Sequence, residues 1–241
     1  MITITVLTAA LNAEKLIRRL AADLMDQTDA NFVWMVIDGG STDATIERVR
    51  QSFEHRAVIV QETDFGIYDA LNKGLRRCAT THYVVVGADD RLDRNAIDQF
   101  RQLAQLNDAD LVAASVRDGG RIARPGRGKS WLRGQNAYIS HHSAGTLIRV
   151  ALHERFGYYS NALPIAADQL FIKRAVQGGC RVHYAPDFIA GEFSREGVSS
   201  VRYLACLFEF TLVQMRTEPN RSLQLLLLLV RLVRHWREAT R

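Results

Sequence analysis

The chain has 241 residues, of which 47% are hydrophobic and 24% are charged, and its formal net charge is +5. This length and composition fit one large globular domain with a real core and exclude an intrinsically disordered chain. The three cysteines form no CxxC pair, which argues against a disulfide framework or a zinc site and fits a reducing compartment. The N-terminus, MITITVLTAALN, is typical of a first β-strand rather than of a signal peptide.

The first half of the chain alternates between strand patterns and helix patterns. Apolar, β-branched runs predict five strands, at Ile2–Thr8, Phe32–Ile37, Ala57–Gln61, Tyr83–Val86 and Asp110–Val116. Helical periodicity predicts helices over 12–26, up to about Phe53, and from within 64–74. Ser41 or Thr42 is expected to cap the second helix. This order predicts a Rossmann-like α/β fold, with a mostly parallel sheet flanked by helices on both sides.

Polar residues follow each of the first four predicted strands. They are Thr8 and Asn12, 38-DGGSTD-43, Asp64 with Gly66, and 87-GADD-90. Parallel sheets bind ligands at the carboxyl ends of their strands, and converging carboxylates repel unless a cation or hydrogen-bond donors compensate. The sequence therefore predicts a nucleotide-binding crevice that can accept a metal ion. For Ser41, Thr42 and Asp43, helix capping is an alternative role.

The second half contains two basic zones that suggest anionic partners. The segment 117–135 has a DGG turn followed by a Gly-Arg-Lys-rich stretch, which predicts a hairpin and then a mobile flap, or alternatively a solvated loop. Residues 222–241 have an apolar core of about ten residues, too short to span a bilayer, with arginines at helical spacing. They predict a basic amphipathic helix that lies on an anionic membrane surface or packs on protein.

The four strand-end motifs together resemble those of family-2 glycosyltransferases of the GT-A fold, of the bacterial polysaccharide or glycolipid type. Similar motifs are Thr8–Asn12 (T-x-x-x-N), 37-IDGGSTDAT-45, 64-DFGIYDALNKG-74 and 84-VVVGADD-90, with weaker likeness at 141-HHSAGTLIR-149, 165-IAADQ-169 and 196-EGVSS-200. The resemblance implies an inverting, hexosyl-type transfer from a nucleotide-diphosphate sugar to an acceptor hydroxyl. It also implies a saccharide or lipid-linked acceptor in cell-envelope glycan synthesis.

The resemblance further implies roles for individual residues. The nucleotide sugar would be bound by Thr8, Asn12, Asp38, Asp64, Gly66, Asn72, Lys73 and Asp89. Asp90 would ligate Mn²⁺ or Mg²⁺, assisted by Asp89 and by His142, which has a second histidine, His141, beside it. Asp168 would be the catalytic base, although an acid at a helix N-terminus can also serve the helix dipole. A UDP-sugar is the expected donor, with GDP- and dTDP-sugars as alternatives.

These expectations divide the chain into functional regions. Residues 1–214 would form the GT-A domain, with a nucleotide-sugar half at 1–115 and an acceptor half at 116–214, and 215–241 would form the basic C-terminal amphipathic helix. The expected location is the cytoplasm, peripheral at the cytoplasmic face of the inner membrane, and a homo-oligomer is compatible with the sequence.

Three rival functions are weighed against sugar transfer. A nucleotidyltransferase normally has a Gly-rich phosphate loop after its first strand, whereas this chain reads 8-TAALNAE-14. A non-catalytic nucleotide-sugar-binding or membrane scaffold protein would be favoured by loss of Asp90 or Asp168, and both are present. Nucleic-acid binding is disfavoured because the basic residues occupy a loop and a Leu-rich tail.

Overall fold

The computed structural model describes residues 1–53, 56–126, 128–140, 142–193 and 203–239. The strands are β1 (Ile4–Ala10), β2 (Phe32–Asp38), β3 (Ala57–Gln61), β4 (His82–Val85), β5 (Arg91–Leu92), β6 (Leu111–Asp118), β7 (Arg121–Ala123), β8 (Thr146–Arg149) and β9 (Val182–Phe193). The helices are α1 (Glu14–Met25), α2 (Thr45–Ser52), α3 (Ile67–Arg77), α4 (Ala96–Leu106), α5 (Ser130–Arg133), α6 (Leu152–Phe156) and α7 (Ala167–Gln177), then a penultimate helix (Tyr203–Thr217) and a C-terminal helix (Arg221–Ala239). His141 and the motif at 196–200 lie outside the described residues.

The described strands form one sheet in the order β3-β2-β1-β4-β8-β6-β9-β5, with β7 paired to β6. Strands β3, β2, β1 and β4 are mutually parallel. Beyond them the sheet is mixed, because β8 runs antiparallel to β4 and β6, whereas β9 runs parallel to β6 and antiparallel to β5. The predicted α/β fold is therefore confirmed, and its parallel part is the first half of the chain.

Helices cover both faces of the sheet, as the alternation of side chains in the strands requires. Val6 of β1 packs on one face in a cluster with residues of α1, α2 and α4. Leu7, its neighbour, packs on the other face with residues of α3, α6 and α7. A Cβ atom at Gly74 of α3 would lie 2.5 Å from Leu7 Cδ1, so glycine at this position allows α3 to approach the sheet closely.

The structure confirms one local sequence prediction and contradicts another. The predicted hairpin at the DGG turn is confirmed between β6 and β7, with positive φ angles of 53° at Gly119 and 81° at Gly120. Helix α2 starts at Thr45 without a side-chain cap, so the predicted capping by Ser41 or Thr42 is wrong. The division into regions 1–115, 116–214 and 215–241 stays a prediction; β6 runs across 115/116 and the penultimate helix runs across 214/215.

The last two helices pack against α5 and α7. Lys173 Nζ of α7 is fully buried and lies 2.5 Å from the Glu218 carboxylate just after the penultimate helix. Gln214 donates to the carbonyl oxygens of Ser130 and Trp131 at 2.8 Å, and Gln224 of the C-terminal helix donates to Trp131 at 3.0 Å. In the described part of the chain, the helices are too short or too polar to cross a bilayer.

Candidate functional site

The sheet brings the first three strand ends together at its carboxyl edge. Ala10 of β1 pairs with Asp38 of β2, and Asp38 pairs with Gln61 of β3. A Cβ atom on Gly39 would collide with the Asp64 carboxylate, so the loops after β2 and β3 are in direct contact. The structure therefore brings the motifs at 38–43 and 64–74 together, as their positions after parallel strands imply.

Asp38 is fully buried at this edge. Its carboxylate accepts hydrogen bonds from the backbone N–H of Ser41 at 3.2 Å and from the Ser41 hydroxyl. These contacts hold the carboxylate within its own loop. Thr8 is also fully buried, and its hydroxyl accepts a 3.2 Å hydrogen bond from the Trp34 indole, so its side chain faces the core rather than an open pocket.

The loop between β2 and α2 supplies hydrogen-bond acceptors to the start of α1. The hydroxyl oxygens of Ser41 and Thr45 accept hydrogen bonds from the N–H groups of Asn12 at 2.9 Å and Ala13 at 2.8 Å. Asp43 accepts from Glu14 N–H at 3.1 Å, which satisfies a donor of the first turn of α1. Ser41 and Asp43 thus accept from N–H groups at the start of α1, and Asp43 also accepts from Thr45 N–H at the start of α2, at 3.0 Å.

Asn12 completes the hydrogen bonds between the loop after β1 and the loop after β2, which together we call the loop clasp. Its side-chain oxygen accepts a 2.9 Å hydrogen bond from Thr42 N–H, and its φ angle of 50° is one that asparagine tolerates better than most residues. Asn12 is exposed at the crevice edge, which is compatible with the predicted contact to a donor.

The segment 64–74 forms a tight turn into α3. Gly66 has φ 124° and ψ 174°, a conformation suited to glycine, and its N–H donates to Asp64 Oδ1 at 2.9 Å. Lys73 lies 3.0 Å from Asp69 and donates to the Thr63 carbonyl at 2.5 Å, so its ammonium group lies against the same loop.

Asn72 has a structural role. Its amide donates to the Tyr159 carbonyl at 2.8 Å and accepts from Tyr159 N–H at 3.0 Å, and the side chain is buried. Because both ends of the amide are engaged by the backbone of a distant segment, we do not propose Asn72 as a donor-binding residue.

Two carboxylates converge over Gly87 after β4. A Cβ atom at Gly87 would lie 2.7 Å from Asp89 Oδ1 and 3.0 Å from Asp90 Oδ2, and Gly87 N–H donates to Asp90 at 2.9 Å. Glycine at this position therefore lets both carboxylates approach the backbone closely, which brings the two acids together. Asp90 is buried and Asp89 is half-buried.

His142 directly precedes the 3₁₀ turn Ser143–Gly145 that leads into β8. Its ring stacks on Phe193 with ring centroids 3.7 Å apart. Phe193 follows Glu192, which pairs with Arg91 in an antiparallel ladder, so Phe193 is placed opposite Asp90. Within the described residues, the structure contains no group of three or more His, Cys, Asp or Glu side chains arranged to hold a metal. Mg²⁺ and similar cations, however, are often held by one or two carboxylates plus substrate phosphates, which this pair fits.

Asp168 occupies the first turn of α7 and is held by residues from two other segments. Tyr68 of α3 donates its hydroxyl to Asp168 Oδ1 at 2.7 Å, and Gln135 donates to Oδ2 at 3.2 Å. Burial raises the pKa of Asp168 above its ordinary value, against the two hydrogen bonds, which favour the charged form. Burial and the nearby Asp168 charge likewise raise the pKa of Tyr68, so the phenol stays protonated and can donate.

Glu209 of the penultimate helix holds the turn that precedes Asp168. Its carboxylate accepts hydrogen bonds from the N–H groups of Ile165 and Ala166, both at 2.9 Å. The sequence prediction missed Tyr68, Gln135 and Glu209. Tyr68 lies within the motif 64–74, which was a usable signal, whereas the other two belong to no motif.

Solved structures share this arrangement of strands and helices. S. aureus TarS 1–349 in complex with UDP-GlcNAc has a TM-score of 0.69 and 19% sequence identity, with coverage of 94% of this chain and 70% of that one. The mannosyltransferase PcManGT from Pyrobaculum calidifontis in complex with GDP-Man and Mn²⁺ has a TM-score of 0.65 and 19% identity, with coverage of 87% and 62%. The chain therefore has the GT-A fold.

The sequence comparison identifies the family. The profile of glycosyl transferase family 2 matches residues 5–159, more than half of the chain, and the chain belongs to this family. A "PGL/p-HBAD biosynthesis glycosyltransferase" from Mycobacterium bovis (strain BCG / Pasteur 1173P2) is 31% identical over 91 residues. That match covers 36% of this chain and 36% of the relative, so it spans only about a third of the relative's length.

Proposed function

We propose that the protein transfers a sugar from a nucleotide-diphosphate donor to an acceptor hydroxyl with inversion at the anomeric carbon. The observation that carries this proposal is the convergence of Asp89 and Asp90 over Gly87 at the carboxyl edge of the parallel strands. Asp38 ends β2, and Asn12, Asp64 and Gly66 lie in loops at the same edge. These positions support a donor site in which the nucleoside and the diphosphate contact successive strand ends.

The residues present fit a divalent metal ion at this site. Asp90 and Asp89 supply the hard oxygen ligands that Mn²⁺ and Mg²⁺ prefer, and His142 lies beside the strand opposite them. When bound, such an ion neutralises the charge that develops on a departing diphosphate. Lys73, held at the neighbouring loop, is a second source of positive charge for the same group. The TarS and PcManGT complexes support a UDP- or GDP-sugar as donor, and a dTDP-sugar is the remaining alternative.

Asp168 is the proposed general base. An inverting displacement needs a base that removes the proton of the attacking hydroxyl on the face opposite the leaving group. A carboxylate whose pKa is raised by burial accepts a proton more readily than an exposed one. Tyr68 and Gln135 each hold one oxygen of Asp168 and so orient it.

A donor screen tests this proposal. Mn²⁺ with UDP-, GDP- and dTDP-sugars should raise the melting temperature of the protein for at least one donor and support slow donor hydrolysis. Asp90→Asn should abolish the metal-dependent part of both effects. Asp187→Asn, at an exposed position in the middle of β9, is the matched control. If no donor stabilises the protein in the presence of metal, the proposed donor site is wrong.

We also propose that the acceptor is a lipid-linked saccharide or glycolipid and that the protein binds peripherally to the membrane. The support is the C-terminal helix, which exposes an apolar surface. Its exposed apolar residues are Leu225, Leu226, Leu229, Val230, Val233 and Trp236. Its arginines favour anionic headgroups. The three free cysteines fit the reducing side of the membrane, which supports the cytoplasmic face of the inner membrane as the location.

Vesicle sedimentation tests the membrane proposal on the full chain. Leu226→Glu with Leu229→Glu should reduce binding to vesicles that contain phosphatidylglycerol, because the changes place charge on the apolar surface. Leu106→Glu is the control, since Leu106 is even more exposed (81%, against 58% for Leu226 and 60% for Leu229) but lies at the end of α4. Unchanged binding of the double variant would exclude the C-terminal helix as the membrane contact.

A further inference from the structure

A cavity of about 380 Å³ lies between α5, α7 and the last two helices. Its size is within the range of small-molecule binding sites. Residues from four separate segments line it, including Leu132, Asn136, Gln169, Phe210 and Arg231. The cavity is therefore formed only when the C-terminal helix packs on the rest of the domain.

Two residues that line the cavity are sequence neighbours of residues in the Asp168 site. Gln169 follows Asp168 on α7, and Asn136 follows Gln135, which donates to the Asp168 carboxylate at 3.2 Å. The side-chain oxygen of Gln169 is buried and accepts no hydrogen bond from the described residues. A buried acceptor without a partner is costly, and a rotamer of Gln169 turned toward the cavity would let this oxygen accept from a saccharide hydroxyl.

The lining of the cavity is cationic on one side and apolar on the other. Arg133 and Arg231 contribute two positive charges, and none of the described lining residues is acidic. The Arg231 guanidinium lies 4.7 Å from the centre of the Phe210 ring and donates to the Leu132 carbonyl at 2.9 Å, which fixes its orientation. A guanidinium in a fixed orientation is suited to charge-assisted hydrogen bonds with phosphate.

We propose that this cavity binds the phosphate group of an acceptor in which an apolar chain, a phosphate and a saccharide hydroxyl are joined. Arg133 and Arg231 bind the phosphate, Leu132 and Phe210 contact the chain, and Gln169 accepts from the saccharide next to Asp168. This inference rests on the proposed sugar transfer, and it narrows the acceptor from glycolipids in general to those that carry phosphate near the reacting sugar.

Calorimetry with simple probes tests the cavity apart from the donor site. Octyl phosphate joins a phosphate to an apolar chain, octyl glucoside has the same chain without charge, and inorganic phosphate has the charge without the chain. The wild-type full chain should bind octyl phosphate more tightly than either of the others. Arg231→Gln and Arg133→Gln should each weaken octyl phosphate binding by about tenfold, which corresponds to one charge-assisted hydrogen bond.

The control variant is Arg174→Gln, which removes a charge from an exposed position of α7 that does not line the cavity. It should bind octyl phosphate as the wild type does. Arg133 lies in an exposed part of the chain, so its variant reports on the cavity even if Arg231→Gln disturbs the packing of the helix. Melting temperatures of all variants show which of them remain folded.

Two results would overturn the proposal: octyl phosphate binding that neither cavity substitution weakens, or equal binding of octyl phosphate and inorganic phosphate. Binding of UDP with Mn²⁺, measured on the same samples, is a separate readout. If the wild type does not bind UDP with Mn²⁺, the proposed donor site is contradicted. The octyl phosphate result still decides whether the cavity binds phosphate.

Discussion

The two halves of the molecule build their parts of the site in different ways. In the first half, four parallel strands deliver polar loops to one edge, and the contacts join loops of neighbouring strands, such as Thr45 with Ala13. In the second half, Asp168 depends on Tyr68, which is 100 residues away in sequence, and on Gln135, which is 33 residues away. The donor side is therefore specified by local motifs, whereas the proposed base is specified by tertiary packing.

The largest effect is expected where the two halves meet, at Asp168. Asp168→Asn should lower the rate constant of sugar transfer by about 10²- to 10⁴-fold, because an amide cannot take the proton of the acceptor hydroxyl. Binding of the donor with metal should be unchanged, since the donor loops belong to the first half. Steady-state kinetics together with donor titration measures both quantities.

Tyr68→Phe separates orientation from proton transfer in the same pair. It removes the hydrogen bond to Asp168 Oδ1 but leaves the one from Gln135, so the loss of rate should be smaller than for Asp168→Asn. Full activity of Asp168→Asn would mean that the base lies elsewhere.

The next largest effect concerns stability in the second half. Lys173→Met should destabilise the fold by about 3 to 5 kcal/mol, because it leaves Glu218 buried without its cationic partner. The double variant Lys173→Met with Glu218→Leu should recover most of this loss. Urea unfolding of the single and double variants measures the difference.

The first half offers the matched comparison. The ion pair between Arg48 and Glu14, at 2.9 Å, is about one-third exposed on each side, so Arg48→Met should change the free energy of unfolding by only about 0 to 1 kcal/mol. Equal losses for Arg48→Met and Lys173→Met would contradict the view that the buried pair holds the C-terminal helices to α7.

A smaller effect is expected in the loop clasp of the first half. Thr45→Val keeps the shape of the buried side chain but removes the oxygen that accepts from Ala13 N–H, which should cost about 1 to 2 kcal/mol. Thr42→Val is the control, because Thr42 is exposed and takes part in the clasp mainly through its backbone N–H. The same unfolding assay should show little change for the control.

The contrast between the halves explains what the sequence could predict. The parallel strands and the edge loops follow from period-two runs and from polar residues placed directly after them, so Asp38, Asp64 and Asp90 could be found. The positions of Thr8 and Asn72 could not, because a hydroxyl that meets Trp34 and an amide that meets Tyr159 are tertiary contacts. The sequence patterns did not predict β8 and β9. One strand pairs antiparallel to β6 and the other parallel to it, and irregular segments flank both.

The smallest predicted effect is a dependence of stability on pH that belongs to the second half. Because the pKa of Asp168 is raised in the folded state, the protonated form favours folding, and this contribution is fully present only below the unfolded value of 3.8. It is lost as pH rises from there through the raised folded pKa. The melting temperature of Asp168→Asn relative to the wild type should therefore increase over this range, since the amide remains neutral.

Asp187→Asn, at an exposed position, reports the effect of removing a carboxylate outside α7. A difference between Asp168→Asn and the wild type that falls with increasing pH would show that the folded state instead favours the charged carboxylate, which would remove the argument for Asp168 as a base with raised pKa.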